Sequence, residues 1–118
     1  MRQSVPPRNW RIRITDILQC IRKIRQFTKG YSFEDFQGDE KTIDSVLRNL
    51  EIIGEAARHV PAEVRSRYRE IPWAEMLTMR NIVIHEYHGV NLSIIWQTVK
   101  EDLPPLVSPL KRILQENE

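Results

Sequence analysis

The chain has 118 residues, of which 41% are hydrophobic and 29% charged, with a formal net charge of +2. That length and balance fit one soluble domain, expected to span residues 1–118. Cys20 is the only cysteine, which excludes an internal disulfide or a multi-cysteine zinc site. No apolar run approaches the ~20 residues a membrane span needs.

The first residues, Met1 to Arg8, carry no apolar signal region, so the expected location is the cytoplasm. Arg8, Arg11, Arg13, Arg22, Lys23, Arg25 and Lys29 crowd the first thirty residues, where Asp16 is the sole acid. Such a cluster is either a solvated helix face or an attractor of nucleic acid. Ile14, Ile17, Leu18, Ile21, Ile24 and Phe27 recur every three or four residues, which predicts one buried stripe of a long helix. Cys20 shares that stripe and is expected in the core. Gly30 ends the helix.

Ser32 and Asp35 have the spacing of a capping pair, and Phe33 and Phe36 supply a small apolar contact. Gly38-Asp39 opens a second long helix with the stripe Ile43, Val46, Leu47, Leu50, Ile53 and Ala57. Gly54 inside it is costly for a helix, by about 1 kcal/mol relative to alanine, and implies close packing of a neighbour. Pro61 ends or restarts that helix. A short basic turn, 62–68, leads to Ile71-Pro72-Trp73, where proline at a first helical position signals a third long helix. This helix is expected to run from Pro72 toward His88, with Gly89 as its stop. Asn91 caps a fourth, carrying Leu92, Ile95, Trp96 and Val99. Pro104-Pro105 interrupts it, and a last amphipathic segment covers 106–114. The expected fold is all-α, an antiparallel bundle of four to five helices.

The third helix ends in Arg80-Asn81-Ile82-Val83-Ile84-His85-Glu86-Tyr87. Arginine suits the non-bridging oxygens of a phosphate, and histidine exchanges protons near neutral pH. Together they are either the minimum equipment for cleaving RNA without a metal or an ordinary polar helix end, with His85 placed to interact with the helix dipole. His85 and His88 are three apart rather than the four of a zinc-protease helix, so no metal site is expected. A glycine-rich phosphate loop and a G-x-S-x-G elbow are both absent from the sequence. On a regular helix Arg80 and Tyr87 lie about 20° apart and His85 about 140° from Arg80. One phosphate meets both Arg80 and His85 if the helix loosens around His85 to Gly89. It also does so if the segment lies at a two-fold axis, where both subunits line one cleft. A symmetric homodimer is the commonest oligomer.

The segment from Pro72 to Tyr87, with its R-x4-H-x-Y signature, resembles the HepT-like family of the HEPN superfamily. Trp96, Ile53-Gly54-Glu55-Ala56-Ala57, and Phe27-Thr28-Lys29-Gly30 followed by Phe36 extend the resemblance to roughly 12–114. Thr78 departs from the glycine frequent there in the family. The resemblance implies a homodimeric helical bundle acting as a metal-independent ribonuclease, with no cofactor. It implies the toxin of a toxin–antitoxin pair whose partner, a small MNT-type nucleotidyltransferase, transfers AMP to the tyrosine and silences it. Dimer and antitoxin could then assemble into a larger hetero-oligomer. Carried over, Arg80 and His85 are the catalytic pair and Tyr87 the modified residue. Asn81 would orient the substrate or the arginine, and Glu55 would pair with a basic group near the site or form a structural ion pair. The alternative is a non-catalytic nucleotide-binding subunit of a nucleotidyltransferase, in which Arg80 and His85 grip phosphate without cutting. A general nucleic-acid binder using the basic faces ranks last.

Overall fold

A computed structural model describes residues 9–118. Residues 1–8, on which the missing signal region and the placement of Arg8 rest, lie outside the described residues.

The described residues are helical, without a strand among them. Helix α1 spans Asn9–Phe27, α2 Phe33–Gln37, α3 Glu40–Arg58, α4 Ala62–Arg67, α5 Trp73–His85, α6 Leu92–Gln97 and α7 Val107–Glu116. None is long and apolar enough to cross a membrane. Two short elements, α2 and α4, add to the long segments expected. The N-terminus of α2 is a reciprocal cap. Ser32 Oγ accepts from the Asp35 amide at 3.1 Å, and Asp35 Oδ2 accepts from the Ser32 amide at 3.0 Å. Asp39 caps α3, accepting from the Thr42 amide at 3.1 Å and its hydroxyl at 2.7 Å.

The central helix is α3, with α1 on one side and α5 on the other. Ile14, Ile17, Cys20, Ile21 and Ile24 of α1 pack with Val46, Leu47, Leu50, Ile53 and Ala57 of α3 in one buried core. Cys20 is in that core, and burial pushes its thiol pKa up. The α1 stripe ends one residue away from its expected position. Phe27 is 40% exposed, and Thr28 is buried instead, its hydroxyl donating to the Ile24 carbonyl at 2.8 Å. The chain leaves the helix at Phe27 and turns through Gly30, whose φ of 77° is readily adopted by glycine. On a regular helix Thr28 falls in line with the stripe of Ile14, Ile17, Ile21 and Ile24, and Phe27 lies about 100° round from its centre.

Trp96 of α6 stacks on the fully buried Phe36 of α2, with ring centroids 5.0 Å apart. The Pro104-Pro105 interruption is prepared upstream, because α6 widens into a π-helical turn, Thr98–Asp102, before it ends. Neither proline has an N–H to donate to the preceding turn, and Leu103 donates five residues back to the Thr98 carbonyl at 3.0 Å. Helix α7 returns antiparallel along α1, where Arg11 donates to the Leu114 carbonyl at 3.2 Å.

Candidate functional site

The site begins with a glycine. A Cβ on Gly54 would lie 2.2 Å from Arg80 Cβ and 2.7 Å from the Met76 carbonyl oxygen. No side chain fits there, so α5 rests directly on the α3 backbone. This seats Arg80 beside Glu55, the residue after Gly54. Arg80 Nε lies 3.0 Å from Glu55 Oε1. That contact is a charge pair rather than an aligned hydrogen bond, since the buried Nε–H has no acceptor in line. Nη1 donates to Asn81 Oδ1 at 2.8 Å. The guanidinium is therefore held at two of its nitrogens, and 26% of the side chain faces solvent.

Glu55 is the hub of this group. Its Oε2 accepts from Arg58 at 3.0 Å and lies 3.2 Å from His59 Nε2. The Arg58 hydrogen bond leads in holding the carboxyl down at about 2, with His59 and the Arg80 charge adding to it against a burial penalty. Glu55, expected to pair with a basic group near the site or to form a structural ion pair, meets three basic groups. Arg58 and His59 escaped that reading, although their spacing of three and four residues from Glu55 puts all three on one helix face.

His85 is the last residue of α5 and is exposed. Among the described residues its ring has no hydrogen-bond or ion-pair partner. The helix does not continue to His88 as expected. Glu86 takes φ −128° and a 3-10 turn, Tyr87–Gly89, follows. The loosening thus starts just after His85. Its main effect is on Tyr87, which leaves the helical stripe expected to carry it beside Arg80. Tyr87 Oη donates to Asp44 Oδ1 on α3 at 2.9 Å, and this bond to a carboxylate raises the phenol pKa.

Arg80 and Tyr87 both face α3, but their partners there, Glu55 and Asp44, are eleven residues apart. At 1.5 Å per residue that is about 16 Å along the helix. One chain therefore does not bring the arginine and the tyrosine hydroxyl to one point. No local spacing signals the Asp44 contact, because it joins residues 43 positions apart.

Leu77 and Ile82 are half-buried on α5, Ile84 is 41% exposed, and Ile94 of α6 is 51% exposed. Among the described residues no three His, Cys, Asp or Glu side chains stand together as a metal-binding group.

Residues 17–113 match the family described as Ribonuclease HepT-like. A Thermococcus cleftensis protein named "Probable ribonuclease HepT" is 44% identical over 100 residues, covering 85% of this chain and 91% of its own. A Caldanaerobacter subterraneus protein named "Putative RNase" is 43% identical over 102 residues, covering 86% and 91%. A Methanocaldococcus jannaschii protein named "Gamma-glutamylcyclotransferase and putative RNase" is 40% identical over 90% of this chain and 48% of its own. No solved structure matches the chain.

Proposed function

We propose that this chain, which belongs to the ribonuclease HepT-like family, is a metal-independent endoribonuclease and the toxin of a toxin–antitoxin pair. The observation that carries the reading is an arginine held by Glu55 and Asn81, five residues from an exposed histidine that has no partner among the described residues, inside a family match over 17–113.

RNA supplies its own nucleophile, the 2′-hydroxyl. Neutral His85 takes the proton of that hydroxyl as its oxygen attacks phosphorus. Arg80 stabilises the charge that develops on the non-bridging oxygens, where preorganised donors act most strongly. A protonated histidine returns a proton to the departing 5′-oxygen. The products are a 2′,3′-cyclic phosphate and a 5′-hydroxyl. Glu55 and Asn81 act through Arg80, as positioning residues.

The active form is a homodimer in which α5 meets α5. Ile84, a large apolar side chain exposed next to His85, is what such a contact would cover. Two copies around a two-fold bring two arginines and two histidines to one cleft, which resolves the angular offset within a single chain.

Tyr87 is the control point. A partner MNT-type nucleotidyltransferase transfers AMP from ATP to the phenolic oxygen. The O–Pα bond forms, pyrophosphate leaves, and the phenolic proton passes to Asp44, its hydrogen-bond acceptor. The added nucleotide blocks the cleft mouth. Two readouts test the proposal. RNA cut in EDTA should carry 2′,3′-cyclic phosphate ends, and 3′-hydroxyl ends would contradict the mechanism. Co-expression with the nucleotidyltransferase should add AMP mass to the wild type and none to Tyr87→Phe. Equal labelling of both would move the modification elsewhere.

A further inference from the structure

A concave groove of about 520 Å³ runs between α1 and α3, lined by Arg22, Lys23, Phe27, Asp44, Arg48 and Asn49 among others. Its end at Asp44 is the residue that accepts from Tyr87, two positions from His85. Three cations line it against one carboxylate, and that carboxylate is engaged by the tyrosine. Among the described residues Arg22 and Lys23 form no ion pair, while Arg48 has a long one, 3.6 Å to Glu51. Phe27 is the large aromatic that turned out of the core to 40% exposure. Arg22 also lines a second groove, about 580 Å³, between α1 and α7, with Arg25, Lys29 and Lys111. The two grooves are neighbours, with Arg22 and Gln26 lining both.

We infer that the groove between α1 and α3 is a single-stranded RNA subsite, in which Arg22, Lys23 and Arg48 hold backbone phosphates and Phe27 stacks on a base. Single-strand sites combine a positive groove that follows the backbone with an aromatic face that takes any base. Both parts stand here within one groove that starts beside the candidate cleft. The choice of RNA rests on the ribonuclease reading. The subsite would hold the strand flanking the scissile phosphate, so it sets affinity and leaves the chemical step to Arg80 and His85. An acidic protein surface is the competing occupant, and it has no use for a stacking face.

The test is binding of a labelled, unstructured oligoribonucleotide to full-length His85→Ala protein, read by fluorescence anisotropy across a salt series. Adding Arg22→Glu and Lys23→Glu should weaken binding at least tenfold. It should also lower the slope of log affinity against log salt by about 1.4, since each single-strand phosphate contact contributes about 0.7. Phe27→Ala should weaken binding by about tenfold, as loss of a stacking platform does, and Phe27→Tyr should restore it. The control is Arg67→Glu with Arg69→Glu, in the basic segment beyond the far end of α3, and it should stay within about twofold of the parent. The inference is overturned if the groove variants bind RNA like the parent, or if the control loses as much. Loss of an acidic protein partner with RNA binding intact would give the groove to that partner, and also overturns it. Because binding is read without cleavage, the two readings fail separately. An inert wild type that binds RNA through the groove sinks the nuclease reading alone. An active one indifferent to the groove sinks the subsite alone.

Discussion

Gly54 and Arg80 meet at a depth that leaves no room for a methyl group, and the position of the arginine depends on it. Gly54→Ala would gain about 1 kcal/mol in helix propensity. Against that, a Cβ 2.7 Å from a carbonyl oxygen of the neighbouring helix must push α5 away. Overpacking of this kind typically costs about 1–3 kcal/mol, more where backbone moves. We expect a net loss of stability, a melting temperature lower by at least about 4 °C, and a cleavage rate that falls further than the stability loss accounts for. Thermal denaturation beside a cleavage assay well below the melting point checks both. A variant as stable and active as wild type would contradict the close approach.

At the scale of elements, α3 carries the interactions that order its neighbours. Asp39 caps its start, and Glu55 gathers Arg58, His59 and Arg80 near its end. The Tyr31 hydroxyl, with Thr42 in support, holds Asp39 at about 2, and Glu55 is likewise at about 2. Both values lie below the ordinary carboxylates of 3.8 and 4.5. Such groups stabilise the fold fully above their ordinary values and lose that contribution as pH falls toward the folded ones. The melting temperature should therefore drop between about pH 4.5 and pH 2, and Asp39→Asn with Glu55→Gln should flatten that drop. A double variant with the wild-type acid slope would contradict the assignment.

This is also the scale at which the sequence is most legible. The stripes of α1 and α3, the Ser32–Asp35 box, the Asn91 cap and the inserted Gly54 all act over a few residues, so their spacing reveals them. Phe27 misleads because a spacing of three from Ile24 looks periodic for a large apolar residue, while the helical angle puts the polar Thr28 on the stripe. Arg80, Asn81 and Glu55 could be named from motif resemblance, and the structure shows them in contact. The Asp44–Tyr87 bond could not be, since it depends on a 3-10 turn after His85 and on the register of α5 against α3.

For the whole molecule, the proposed cleft needs two chains. Tyr87 and Arg80 anchor about 16 Å apart on α3, and Ile84 is exposed next to His85. A homodimer through α5 should have twice the 14.0 kDa chain mass by light scattering. Wild-type and His85→Ala chains unfolded together and refolded should give mixed dimers that hold one histidine and cleave more slowly per wild-type chain than wild-type dimers. Mixed dimers as active per wild-type chain as wild-type dimers would contradict a cleft that uses the histidines of both subunits.

The central claim is that His85 moves the proton in a metal-free cleavage of RNA. The most direct measurement incubates purified wild type and His85→Ala with RNA in EDTA and follows the initial rate. General acid–base roles contribute about 10²–10⁴-fold, so the wild type should cut and the variant should be slower by at least about a hundredfold with its fold intact. A His85→Ala protein that cuts at the wild-type rate, or a wild type that does not cut at all, would contradict the account.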